Sequence, residues 1–150
     1  MTRLKNLIRA GFAALAFAFA APVLVAAPSS AYAAQDAELA SGGFTNQEYK
    51  ISGNWRIYEE DGKTFIALSD DFRTRRGPDL KIFLSPLAPD AVTGKNATEG
   101  SLLVAELDKS RGAQTYEIPT GTDLSAYQSV VIHCERFSKL WGAGPLTISD

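Results

Sequence analysis

The chain has 150 residues, with 15 basic and 17 acidic side chains, a formal net charge of −2, one cysteine and one histidine. That balance carries no electrostatic footprint for nucleic acid or an anionic membrane. A single cysteine and a single histidine exclude haem attachment through Cys-x-x-Cys-His and leave almost no room for a hydrolase triad or a structural zinc site.

Residues 1–33 read as a cleavable signal peptide. Arg3, Lys5 and Arg9 make a basic start, Phe12 to Val25 carries no charge, and Ala31-Tyr32-Ala33 offers small residues for cleavage after Ala33. The apolar run is short for a spanning helix and contains Pro22, so no stable membrane insertion is expected after cleavage. No cysteine lies near the cleavage point, and no adjacent arginines occur before it. This pattern predicts the general secretory route and a periplasmic or secreted protein. Without Arg3, Lys5 and Arg9, twelve basic groups face 17 acidic ones, so the exported form carries a net charge of −5.

Residues 34–47 are small and polar and predict a flexible leader. Residues 48–150 have the punctuation of one all-β domain. Tyr49–Tyr58 and Lys63–Leu68 flank Glu59-Glu60-Asp61-Gly62, whose Asp-Gly pair signals a tight hairpin. Asp79–Ser85 follows as a strand. Pro86–Gly100 is polar, lacks periodicity and reads as a long surface loop. Leu102–Leu107 and Ala113–Ile118 are expected to pair through Ser110-Arg111-Gly112. Tyr127–Cys134 is the most apolar run and the expected central strand, and Leu146–Ile148 closes the set. No helix-period stretch and no internal repeat follow the signal. The expectation is an antiparallel β-sandwich or barrel of about seven to eight strands.

Val130-Val131-Ile132-His133-Cys134-Glu135-Arg136-Phe137 holds the lone cysteine and the lone histidine. A single thiol in an exported chain has no internal disulfide partner. Strand alternation puts Val130, Ile132 and Cys134 on one face and Val131 and His133 on the other, so the two neighbours do not form a nucleophile pair. Cys134 is either a small buried hydrophobe or a reactive thiolate. Arg136, at the same-face spacing, is the candidate modulator of such a thiolate. His133 reads as a surface or interface histidine ahead of a lone haem or copper ligand.

Arg73, Arg75 and Arg76 stand beside Asp70 and Asp71 and predict a surface salt network, with capture of an anionic ligand as the alternative. Gly77-Pro78-Asp79 is a turn. The aspartates match no EF-hand spacing, and no metal site is assigned. The spread aromatics, from Trp55 to Trp141, read first as core, and a binding face is the alternative. Asn96-Ala97-Thr98 fits a glycosylation pattern. Neither a Gly-x-Ser-x-Gly elbow nor a phosphate loop occurs, and no cofactor motif is recognisable.

From Gly43 to Leu146 the chain resembles the DM13 domain family of small extracytoplasmic β-rich domains. The resemblance rests on Ser52-Gly53-Asn54-Trp55, on Asp71-Phe72 followed by Gly77-Pro78-Asp79-Leu80-Lys81-Ile82-Phe83-Leu84, on Leu107 with the segment Gly112–Pro119, on Tyr127–Phe137, and on Gly142–Leu146. It implies a near-invariant cysteine at Cys134 and a redox or electron-transfer role inferred from it and from relatives fused to cytochrome-like DOMON domains. This chain shows no second domain and no haem ligands of its own, so the resemblance implies a separate redox protein as partner. Gly77, Pro78 and Asp79 would shape the loop beside the thiol.

Two functions stand at this point. One is a redox domain centred on Cys134 that is not a stand-alone enzyme. The other is a non-catalytic periplasmic binding or adhesion module with Cys134 buried. A disulfide-linked dimer through Cys134 is a third possibility.

Overall fold

The computed structural model describes residues 36–149. The predicted signal peptide, residues 1–33, lies outside the described residues. The strands are β1 (Ala37–Gly43), β2 (Thr45–Asn46), β3 (Ile51–Ser52), β4 (Asn54–Glu60), β5 (Lys63–Leu68), β6 (Arg73–Thr74), β7 (Leu80–Ser85), β8 (Leu102–Glu106), β9 (Gln114–Glu117), β10 (Ser129–Cys134) and β11 (Lys139–Pro145). All pairings are antiparallel. One sheet has the order β1-β4-β5-β9, a second β2-β11-β10-β7-β8, and a short third pairs β3 with β6. The all-β class stands, while the sheets remain open, so the barrel alternative falls.

The expected hairpin between β4 and β5 forms, with Asp61 and Gly62 both at positive φ. This is the backbone that a two-residue turn between twisted strands requires. β10 is the middle strand of the five-stranded sheet, and all six of its residues are buried. Its two faces pack differently. Val130, Ile132 and Cys134 join Ile57, Ile66 and Ile82 in a main core fed by both larger sheets. Val131 joins Phe83, Leu140 and Ala143 in a second cluster on the opposite face. A strand covered on both faces can be apolar without alternation, and Val130-Val131-Ile132 has that character.

Four expectations change. The described part of the predicted 34–47 leader is not free chain: β1 pairs along β4 and Ala40 is wholly buried. The polar loop 86–100 forms no strand, but its Val92 and Ala97 cover the outer face of the five-stranded sheet. β8 and β9 do not form a hairpin. β8 pairs with β7 and β9 with β5, so the chain crosses between sheets at Ser110–Gly112. The closing strand is β11, and Leu146–Ile148 lies beyond it.

Candidate functional site

Cys134 is the last residue of β10. It stands opposite Leu80 on β7 and Lys139 on β11, and it is 0% exposed. Leu80, Ile132 and Trp141 share its core cluster. Immediately after it the chain leaves the sheet in a single 3-10 turn, Glu135–Phe137, which ends on Ser138 in the left-handed region with φ 48°. Glu135, Arg136 and Phe137 are all exposed, so the residue directly after the sealed thiol is already at the surface. A partner's sulfur has no path to Sγ in this arrangement. An intermolecular disulfide would first require the strand end to open.

Several contacts hold that end shut. The Glu135 amide donates to the Asp79 carbonyl at 3.2 Å, and the Ser138 amide donates to the Glu135 carbonyl at 3.1 Å. Lys81 makes an ion pair with Asp79 at 3.3 Å and a second, hydrogen-bonded one with Glu135. The Glu135 hydrogen bond leads the effects that raise the Lys81 pKa, opposed by burial and aided by Asp79. The Gly77-Pro78-Asp79 turn therefore lies beside the Cys134 strand end. Its Asp79 supplies both a backbone acceptor and a carboxylate, and a Cβ on Gly77 would press on Leu80 at 2.9 Å. Arg136 sits in the turn and not on the sheet, because strand spacing stops at Cys134. It is exposed and makes no ion pair with a described residue.

His133 points away from the Cys134 face, with its ring 6.2 Å from that of Phe83. It is 3% exposed, not a surface histidine, and its Nδ1 is buried without a partner among the described residues. Burial lowers its pKa, against the opposing effects of Glu135, the Lys139 backbone and Asp79. The neutral imidazole is therefore favoured.

The arginine segment departs from its expectation. Arg73, Arg75 and Arg76 form no ion pair with any described residue, Asp70 and Asp71 included. Instead Arg73 is bridged through the backbone to Arg111, a residue that the sequence marked only as part of a turn. A pattern of local motifs could not join them, because 38 positions separate the pair and only the crossing of sheets brings them together. Arg75 stacks on Tyr49 with 4.9 Å from guanidinium carbon to ring centroid, and Tyr49 packs on Trp141 at 4.3 Å. Trp55 and Trp141 are buried. The Asn96 amide is turned inward on its own loop, donating to the Ala91 carbonyl and accepting from the Thr93 amide. Among the described residues no group of three or more His, Cys, Asp and Glu side chains is placed to hold a metal ion.

No curated protein and no solved structure matches the chain. The family model described as electron transfer DM13 matches residues 43–146. That span runs from the end of β1 past β11 and contains Cys134 with the turn beside it, and so the chain belongs to the electron transfer DM13 family.

Proposed function

We propose that this protein is an exported DM13 domain with a redox-related role in which Cys134 is the reacting group. Family membership supports the redox class. The observation that carries the reading to Cys134 is its position: the only thiol of the chain ends the central strand, one residue from an exposed turn. Chemistry at this sulfur is then gated. The Glu135–Phe137 turn opens locally, the thiol reacts, and the turn closes over it. A lone thiol exchanges electrons as a disulfide or a sulfenic acid, and a one-electron role needs a metal or radical on the partner. The partner is accordingly a separate redox protein, and the domain is not a stand-alone enzyme. Export to the periplasm or beyond rests on the basic, apolar and small-residue pattern of residues 1–33.

The test is purification from the native compartment, followed by N-terminal sequencing, absorbance and metal analysis, and labelling with a thiol reagent. The expected result is a start after Ala33 and slow labelling of Cys134 well below the unfolding transition. Labelling that appears only on global unfolding, with no chromophore, metal or oxidised sulfur in the native preparation, would sink the redox reading. The second reading, a binding or adhesion module with a structural cysteine, is favoured by one observation. Cys134 is 0% exposed and shares its cluster with Ile132 and Trp141.

A further inference from the structure

Arg73 and Arg111 occupy directly opposed positions in an antiparallel bridge. The bridge is firm, because the Thr74 amide donates to the Ser110 carbonyl and the Gly112 amide to the Phe72 carbonyl, both at 2.9 Å. Opposed side chains in such a bridge lie on the same face, and like charges placed there repel. On its other side Arg73 stands opposite Ser52, while the alternate pair, Ile51 and Thr74, is buried. Ser52, Arg73 and Arg111 thus form a row across three backbone segments, all exposed.

The row lines a groove of about 720 Å³ together with Lys50, Arg75 and Asp71. That volume suits a small ligand. The lining holds one carboxylate against these four cations, Asp71, which accepts a 2.5 Å hydrogen bond from the Ser69 hydroxyl and forms no ion pair with a described residue. None of Lys50, Arg73, Arg75 and Arg111 forms an ion pair with a described residue. Arg75 is held in advance: its guanidinium lies over Tyr49, and its carbonyl accepts from Trp141 Nε1 at 3.1 Å. Arg111 also borders an adjoining groove of about 430 Å³ with Arg76, Lys109 and one carboxylate, Asp108, which extends the net basic surface. A chain whose exported form is acidic thus gathers cations in one place in excess of the neighbouring carboxylates, without an ion pair among the described residues. A local arrangement that works against stability without a structural gain marks a functional surface.

We propose that this groove binds a small polyvalent oxyanion, a phosphorylated or polycarboxylated molecule, through Arg73, Arg75 and Arg111, with Lys50 and Ser52 as further donors. Guanidinium forks match the paired oxygens of phosphate and carboxylate, and a bound anion relieves the Arg73–Arg111 repulsion. The site is independent of the thiol and holds whether or not Cys134 is redox active.

The test is calorimetric titration of the purified chain at low salt with tripolyphosphate and, separately, citrate. Saturable binding of at least one is expected, weakened about tenfold or more by Arg73→Gln or Arg111→Gln, weakened by added salt, and unchanged by Lys95→Gln on the 86–100 loop. Tighter binding of tripolyphosphate assigns the phosphorylated class, and tighter binding of citrate the polycarboxylated class. Arg111→Gln should also raise the melting temperature of the ligand-free protein, because it removes a repulsion. Absence of binding by both probes, equal binding by the glutamine variants, or a lowered melting temperature in Arg111→Gln overturns the proposal. If one glutamine variant fails to fold, the other and the salt dependence of the unaltered chain decide it.

Discussion

Gly94 packs directly against the backbone carbonyl of Ser138, so closely that a Cβ at Gly94 would collide with it. Ser138 is the left-handed residue that ends the turn after Cys134. The 86–100 loop therefore does more than cover the outer sheet face with Val92 and Ala97: it clamps the segment that seals the thiol. Gly94→Ala should push loop and turn apart. Overpacking of this kind costs about 1–3 kcal/mol. If the strain is relieved by opening the turn, labelling of Cys134 by a thiol reagent should accelerate roughly tenfold under native conditions. Denaturant unfolding and labelling kinetics on the same variant check both parts. Lost stability with an unchanged labelling rate would show that the turn is not the gate.

The dryness of the Cys134 site can be measured with two substitutions. Cys134→Ala removes one sulfur atom from the main core and should cost about 1 kcal/mol. Cys134→Ser keeps the shape but places a hydroxyl among Leu80, Ile132 and Trp141. With no partner for that hydroxyl the cost should reach about 1–3 kcal/mol. The expected order of melting temperature is unaltered chain, then alanine, then serine. A serine variant as stable as the unaltered chain would mean that water reaches position 134 in the resting state.

Much of this arrangement was legible in the sequence because its causes are local. Asp61-Gly62 states its own turn, and the unbroken Val130-Val131-Ile132 run marks the central strand, although the burial of its second face, with His133, shows only in the structure. Alternation also separates the faces of His133 and Cys134 correctly. The misreadings share another cause: long-range packing overrides composition. Residues 34–47 look like a linker because they are small, yet small size lets β1 lie against the indole of Trp55. β11 escaped notice because Gly142-Ala143-Gly144 has low strand preference. A Cβ at Gly144 would collide with the Gly43 carbonyl oxygen and sit 3.0 Å from Trp55 Nε1, so the glycine is a condition of the packing. Ser110-Arg111-Gly112 has hairpin chemistry, but its backbone bonds go to Phe72 and Thr74 and carry the chain from one sheet to the other.

His133 makes stability depend on acid. Its folded-state pKa lies below the unfolded value, chiefly through burial, so the unfolded chain binds a proton more readily. The contribution is complete above the unfolded pKa of about 6.5 and is lost as pH falls from there through the depressed folded value. Glu135, the Lys139 backbone and Asp79 oppose the shift without reversing it. Unfolding free energy followed from pH 7.5 downward should decline for the unaltered chain with an onset near pH 6.5. His133→Gln should flatten that decline while leaving the carboxylate-driven loss at lower pH. Parallel curves for the two proteins would place the proton uptake elsewhere.

Gln114 positions Arg111 through a fully used amide. Its Oε1 accepts from the Lys109 amide at 2.7 Å and from the Tyr116 hydroxyl at 2.8 Å, while its Nε2 donates to the carbonyls of Lys109 and Gly112 at 2.9 and 3.3 Å. Lys109 and Gly112 bracket Arg111, so one side chain fixes the loop that presents the guanidinium to Arg73. Burial raises the Tyr116 pKa, which keeps the phenol protonated as the donor this network needs. Gln114 is 8% exposed, so Gln114→Leu fits the space but orphans the Lys109 amide and two carbonyls, at about 2–3 kcal/mol. Arg111 then loses its fixed place, and affinity for tripolyphosphate should fall roughly tenfold although no charge has changed. Titration of the folded variant, alongside its denaturant curve, separates the two effects. Reduced stability with unaltered affinity would mean that the Arg73 bridge alone holds Arg111 in position.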